Sequence, residues 1–128
     1  MATSEWMSVV LVDPFMDERN MYAKFLESEG FDVFVCSNPA AALVFVSQHH
    51  AAAVITRIRQ AGEMNGVALT KALKEDPRTS GIPVVVISTY IQPQFRRAAE
   101  QAGCDRFLLL PCLPEELAHT LRQVVGRP

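Results

Sequence analysis

The sequence predicts a three-layer α/β sandwich built on a parallel sheet, and three observations carry that reading. Five short runs rich in valine, isoleucine and leucine recur along the chain, each followed by a segment with helical spacing of apolar residues. The runs are mostly continuous rather than alternating, as expected of strands covered on both faces. Connections between run and helix are short, so successive strands return parallel through right-handed crossovers.

Ser8–Val12 is the first strand, halted at Asp13-Pro14 because proline lacks the amide that a ladder needs. The helix after it carries Asp17 and Glu18 early, where acid favours the positive end of the helix dipole. Met21, Tyr22, Phe25 and Leu26 form its apolar face, and Gly30 supplies the stop. Val33–Cys36 is strand two. Ser37-Asn38-Pro39 then makes a helix entry, with a capping side chain and proline in the first turn. Ala41, Leu43, Val44 and Val46 are expected on the core side of helix two, which runs out at His49-His50. Neighbouring histidines on a helix face different directions, so these read as polar residues at a helix end and not as a metal site.

Strand three covers Ala53–Thr56 and ends in Arg57. Asn65-Gly66 opens helix three, whose stripe is Leu69, Ala72 and Leu73, and Pro77 ends it by excluding helical backbone one residue earlier. Strand four is Ile82–Ile87, with Ser88-Thr89 at its carboxyl end. Phe95, Ala98, Ala99 and Ala102 mark helix four, stopped by Gly103. Arg106–Leu109 is strand five, halted at Leu110-Pro111. Helix five starts near Pro114-Glu115-Glu116 and buries Leu117, Leu121 and Val124.

A chain of 128 residues is expected to form one domain, with a core from about residue 8 to 126. Its 49% hydrophobic and 20% charged residues argue against disorder. Twelve basic against fourteen acidic residues give a formal charge of −2, which is no footprint for nucleic acid or an anionic membrane. Cys36, Cys104 and Cys112 are odd in number and lack C-x-x-C spacing, so they read as reduced, small apolar residues. The start has no basic stretch followed by an apolar one, and no apolar run approaches spanning length. A cytoplasmic protein is expected.

In an open α/β sheet, ligands sit in the crevice beyond the carboxyl ends of the strands. Four strand ends supply that crevice: Asp13, Arg57, Ser88 and Leu110. The segments Val-Leu-Val-Asp-Pro-Phe-Met-Asp-Glu-Arg, Ile-Arg-Gln-Ala-Gly-Glu-Met-Asn-Gly, Ile-Pro-Val-Val-Val-Ile-Ser-Thr and Ala-Gly-Cys-Asp-Arg-Phe-Leu-Leu-Leu-Pro stand at those ends in this order. From about Val9 to Val125 the chain resembles the receiver domain of two-component response regulators. The resemblance implies a flavodoxin-like (βα)5 fold with strand order 2-1-3-4-5.

It also implies a set of working residues. In the family, two adjacent acids after strand one hold Mg²⁺, which needs hard oxygen ligands. An aspartate after strand three accepts phosphate, because only a carboxylate makes an acyl phosphate. A Ser/Thr after strand four binds the phosphoryl group, and a lysine before a proline after strand five neutralises it. Here Asp13 matches the first acid, but Pro14 stands in the place of the second and Arg57 in that of the nucleophile. Ser88, followed by Thr89, matches the hydroxyl; Leu110 replaces the lysine, and Pro111 keeps the proline. Gln60-Ala61 stands where the family often has an apolar residue and proline, and Phe107 matches the aromatic whose rotamer often follows activation. Anchoring the comparison at Gly66 instead puts Ile58 in the key place. Neither choice gives an aspartate: none occurs between Asp32 and Asp76, and Glu63 lies well past the strand end.

The expectation is therefore a non-catalytic, phosphorylation-independent pseudo-receiver that acts through protein–protein contacts, with no metal or cofactor. Arg57 is expected to turn inward and pair with Asp13. Two unit charges at ~4 Å interact by about 4 kcal/mol at an effective dielectric near 20, and the same guanidinium would repel a divalent cation. By the resemblance, helix four, strand five and helix five offer the contact face, through Gln94, Arg97, Gln101, Arg106, Glu116, His119 and Arg122. Its partner would be a histidine kinase, an output domain or a second copy. Two alternatives stay open: a conventional phosphoacceptor using another group, and a small-anion or nucleotide site built from Arg57, Ser88 and helix N-terminal amides.

Overall fold

The computed structural model describes residues 7–59 and 64–125. Five strands alternate with five helices in chain order: β1 (Ser8–Val12), α1 (Met16–Ser28), β2 (Asp32–Cys36), α2 (Pro39–Gln48), β3 (Ala53–Arg57), α3 (Gly66–Glu75), β4 (Val84–Ser88), α4 (Pro93–Ala102), β5 (Arg106–Leu109) and α5 (Pro114–Val124). The strands form one parallel sheet in the order β2-β1-β3-β4-β5, the doubly wound flavodoxin-like arrangement.

Period-two alternation divides the core. Val9, Leu11, Ile55, Val85 and Ile87 face α1 and α5, where Tyr22, Leu26, Leu117 and Leu121 meet them. Val10, Val12, Val54, Val84 and Val86 face the other way, onto Ala42 and Val46 of α2, Leu69 and Leu73 of α3, and Ala99 of α4. Every residue of β3 and β4 is buried, so these central strands fix the site's position. Full burial of such side chains contributes roughly 1.5–3 kcal/mol each.

Helix starts follow local chemistry. The Asn38 side chain accepts from the Ala41 amide at 2.8 Å, and Asn65 does the same for Ala68 at 2.9 Å. Such caps contribute about 1 kcal/mol each. Gly103 closes α4 at φ 105°, where a side chain would be strained. Gly66 is required by close approach. A Cβ there would collide with the Arg57 carbonyl at the end of β3, so α3 begins pressed against the site's own backbone.

The structure corrects three expectations. On α2, Ala42 and Val46 are buried, whereas Ala41 is exposed and Val44 is 59% exposed. On α1, Met21 turns to solvent, and the core face is Tyr22, Ala23 and Leu26. Strand β4 begins at Val84 rather than Ile82, and Ser88 is its last residue rather than the first beyond it. Pro83 has no amide to donate, but its carbonyl accepts from Val54 at 2.9 Å.

Candidate functional site

The strand order brings Asp13 and Arg57 together, because β1 and β3 are neighbours in register up to Val12 and Thr56. Asp13 is fully buried and Arg57 only 5% exposed. The guanidinium donates from Nε to Oδ1 at 2.9 Å and from Nη2 to Oδ2 at 3.1 Å, a two-bonded fork that engages both carboxylate oxygens. Oδ1 also accepts the Phe15 amide at 2.9 Å. The Phe15 ring lies 4.7 Å from the guanidinium carbon and covers the cation. Backbone locks the rest: Asp13 donates its amide to the Cys36 carbonyl, and its own carbonyl accepts from Arg19 Nη1 at 3.1 Å.

Ile58, the residue that the other anchoring would put in the key place, does not face Asp13. It is buried against α2 and α3 and donates its amide to the Ile87 carbonyl. Gln60, Ala61 and Glu63 lie outside the described residues. Ser88 is fully buried, with its hydroxyl accepting the Tyr90 amide at 2.9 Å, and Thr89 beside it is exposed. Leu110 packs partly buried on the α1/α5 cluster and donates its amide to the Ser88 carbonyl; the peptide to the exposed Pro111 is cis. Pro14, partly buried, brings no oxygen ligand on its side chain.

The family's magnesium does not fit this donor set. Asp13 is the one crevice acid among the described residues, both its oxygens are engaged by a cation, and no group of three metal-ligating side chains occurs among those residues. Burial holds several neighbouring groups in their neutral forms. Tyr22 donates its hydroxyl to the Cys112 carbonyl at 3.1 Å, and burial together with the adjoining Cys112 thiol pushes its pKa up to about 12. Burial also raises the Cys112 and Cys36 thiols, so neither is a ready nucleophile.

Phe107 is half-buried against the α2/α3/α4 cluster, with the Arg96 guanidinium 5.8 Å from its ring centre. Gln94, Arg97, Gln101, Arg106, Glu116 and His119 are exposed on α4, β5 and α5. Arg122 is exposed too but turns to the opposite flank of α5, pairing with Glu29 at 2.9 Å and covering Phe31. It belongs to the α1 side, not to the expected contact face. Phe15, Arg19 and Tyr90 were missed by the sequence reading. The signal for Phe15 was its place two residues past Asp13, where an amide reaches back to a carboxylate in an Asx turn.

A buried carboxylate at the end of β1 beside the end of β3, a buried hydroxyl ending β4 and a proline after β5 make the crevice of a known signalling fold. Residues 9–122 match the response regulator receiver domain. The chain belongs to that family. This receiver domain is 32% identical over 125 residues to the response regulator Rre1 of Synechocystis, covering 97% of this chain and 54% of Rre1. It therefore spans about half the length of that relative. It is 23% identical over 119 residues to the polar-differentiation response regulator DivK of Brucella ovis, covering 93% of this chain and 96% of DivK. The chemotaxis response regulator CheY4 of Vibrio cholerae has the same fold, with a TM-score of 0.85 at 23% identity over 92% of this chain and 98% of that one. Receiver domains are in general signalling modules of two-component systems rather than enzymes. Among the described residues no helix is long and apolar enough to cross a membrane.

Proposed function

We propose that this receiver domain signals without phosphorylation, as a pseudo-receiver whose fixed shape is read by protein partners. One observation carries the reading: the two-bonded Arg57–Asp13 pair occupies the strand ends where the family seats its phosphoacceptor and its metal. A guanidinium has no carboxylate oxygen to form an acyl phosphate. Its permanent charge repels a divalent cation at ~4 Å by about 8 kcal/mol at an effective dielectric near 20, before desolvation is counted. Leu110 adds no cation to neutralise a phosphoryl group.

Output then depends on surface recognition in the cytoplasm by a histidine kinase, an output domain or another copy. The exposed residues Gln94, Arg97, Gln101, Arg106, Glu116 and His119 are mixed in sign and suited to specific rather than tight pairing. The anion-binding alternative gains no support, since Nε and Nη2 of Arg57 are committed to Asp13.

Acetyl phosphate and, separately, beryllofluoride supplied with Mg²⁺ test the proposal. Intact-mass spectrometry is expected to find no phosphoryl adduct, and NMR amide shifts are expected to stay unchanged on adding beryllofluoride. A stoichiometric adduct, or saturable shifts centred on β3, would restore a working phosphoacceptor.

A further inference from the structure

Strand β2 forms one edge of the sheet, and among the described residues no strand pairs with its outer side. In a parallel ladder, alternate residues direct both backbone groups to the same neighbour. The Cys36 carbonyl accepts from Asp13, so Asp32, Phe34 and Cys36 direct their groups inward to β1. Val33 and Val35 therefore direct an amide and a carbonyl each toward solvent. Natural edges are usually blunted by charge, proline or a bulge. The centre of β2 reads Val33-Phe34-Val35 and has none of these, whereas the opposite edge, β5, carries the exposed Arg106. Phe34 is 36% exposed, its ring leaning on Phe45 of α2 at 4.7 Å, and Val35 is 48% exposed on the other face.

We propose that β2 is a self-pairing edge, through which two copies of this chain join antiparallel into one continuous sheet about a two-fold axis at Phe34. The occupant is a second copy because the edge is complementary to itself. In the register centred on Phe34, Val33 of each copy faces Val35 of the other, and each such pair exchanges two backbone hydrogen bonds. All four outward groups on each edge are satisfied. The two Phe34 side chains meet on the α2 face as a non-hydrogen-bonded pair, where side chains approach most closely. Asp32 falls opposite Cys36 of the second copy, so no like charges face each other. This contact lies across the sheet from α4, β5 and α5 and leaves that face free for a different partner.

Sedimentation velocity of the full chain from low micromolar to near-millimolar concentration tests this, together with amide hydrogen exchange. The expected result is a concentration-dependent dimer in which the Val33 and Val35 amides slow in exchange as dimer forms. The Phe34 and Cys36 amides, already paired to β1, should not change. V35K places a charge at each Val33–Val35 contact and is expected to weaken the dimer about tenfold or more. Because Val35 is half exposed, that variant should retain the native circular dichroism. R106E is expected to leave the dimer unchanged. A monomer at every concentration overturns the proposal. So does a dimer that V35K leaves intact, one that R106E disrupts, or one that protects amides elsewhere but not Val33 and Val35.

Discussion

Removing Arg57 leaves a carboxylate with no exposed surface facing a hole where its cation stood. The side chains of the pair are 7% and 0% exposed, so the charges are screened by protein rather than by water. Breaking a buried pair by deleting one partner costs about 3–5 kcal/mol, against roughly 0–1 kcal/mol for an exposed pair. R57A is therefore expected to lose at least about 3 kcal/mol in urea unfolding at pH 7, or on the order of 10 °C in Tm for a domain of this size. The decisive quantity is the double-mutant cycle with D13A, since whatever else Arg57 touches drops out of it. A coupling of about 2 kcal/mol or more is expected, and it should persist at high salt, because burial limits ionic screening. A coupling under about 0.5 kcal/mol, or one abolished by salt, would mean that the pair is solvated and that the closed crevice is the wrong description.

Two further outcomes follow from the same geometry. Replacing Arg57 and Pro14 together by aspartate (R57D/P14D) gives the β1 and β3 ends three carboxylates, so Mg²⁺ should raise the Tm of that variant with concentration and leave the native protein unaffected. No Mg²⁺ response would show that Arg57 is not what closes the site. At Cys104, burial first and then the negative Glu100 and Asp105 push the thiol pKa from 9.0 up to about 11. Only ~0.1% is thiolate at pH 8, so alkylation there should be slow and should climb with pH beyond 9, as read by peptide mass mapping. Since the folded pKa lies above the unfolded one, the stability this group contributes is present below pH 9 and is lost as pH rises through about 11. Rapid alkylation at neutral pH would contradict the half-buried placement of this thiol.

The strands were legible because β1, β3 and β4 are built on consecutive apolar residues, Val9–Val12, Ala53–Ile55 and Val84–Ile87, a pattern that burial on both faces demands. The phase of α2 was not. Pro39–Val46 is apolar on every side, so no polar stripe sets which side turns inward, and contacts with β1 and β2 choose Ala42 and Val46. At the site, Asp13 and Arg57 could be placed from strand ends alone, since topology fixes where neighbouring strands stop. The shield around them could not. Phe15 reaches the pair through the backbone path of one short loop, Arg19 turns back from α1 onto the Asp13 carbonyl, and Arg122 is drawn to the α1 flank by Glu29, ninety-three positions away. Single-sequence spacing carries no information about such encounters.

The difference between a switch and a fixed shape can be stated as free energy. Moving a two-state protein from 1:99 to 99:1 takes about 5.5 kcal/mol of differential interaction between the states. A switching receiver obtains that difference by adding and removing charge at the β3 end, which biases how the neighbouring loops pack. On the proposed reading, Arg57 supplies a charge at the same place that no reaction adds or removes. The fork to Asp13 and the Phe15 ring above it tie the β1–α1 loop to β3. The pair then contributes a constant to the energy of one arrangement and no difference between signalling states. On the proposed reading, regulation enters through events at the surface, where mass action sets occupancy: the concentration of a partner, or of the chain itself. On that reading an edge such as β2, whose centre Val33-Phe34-Val35 is uncharged and whose one charge is Asp32 at its start, is the kind of element through which abundance alone can change the protein's state.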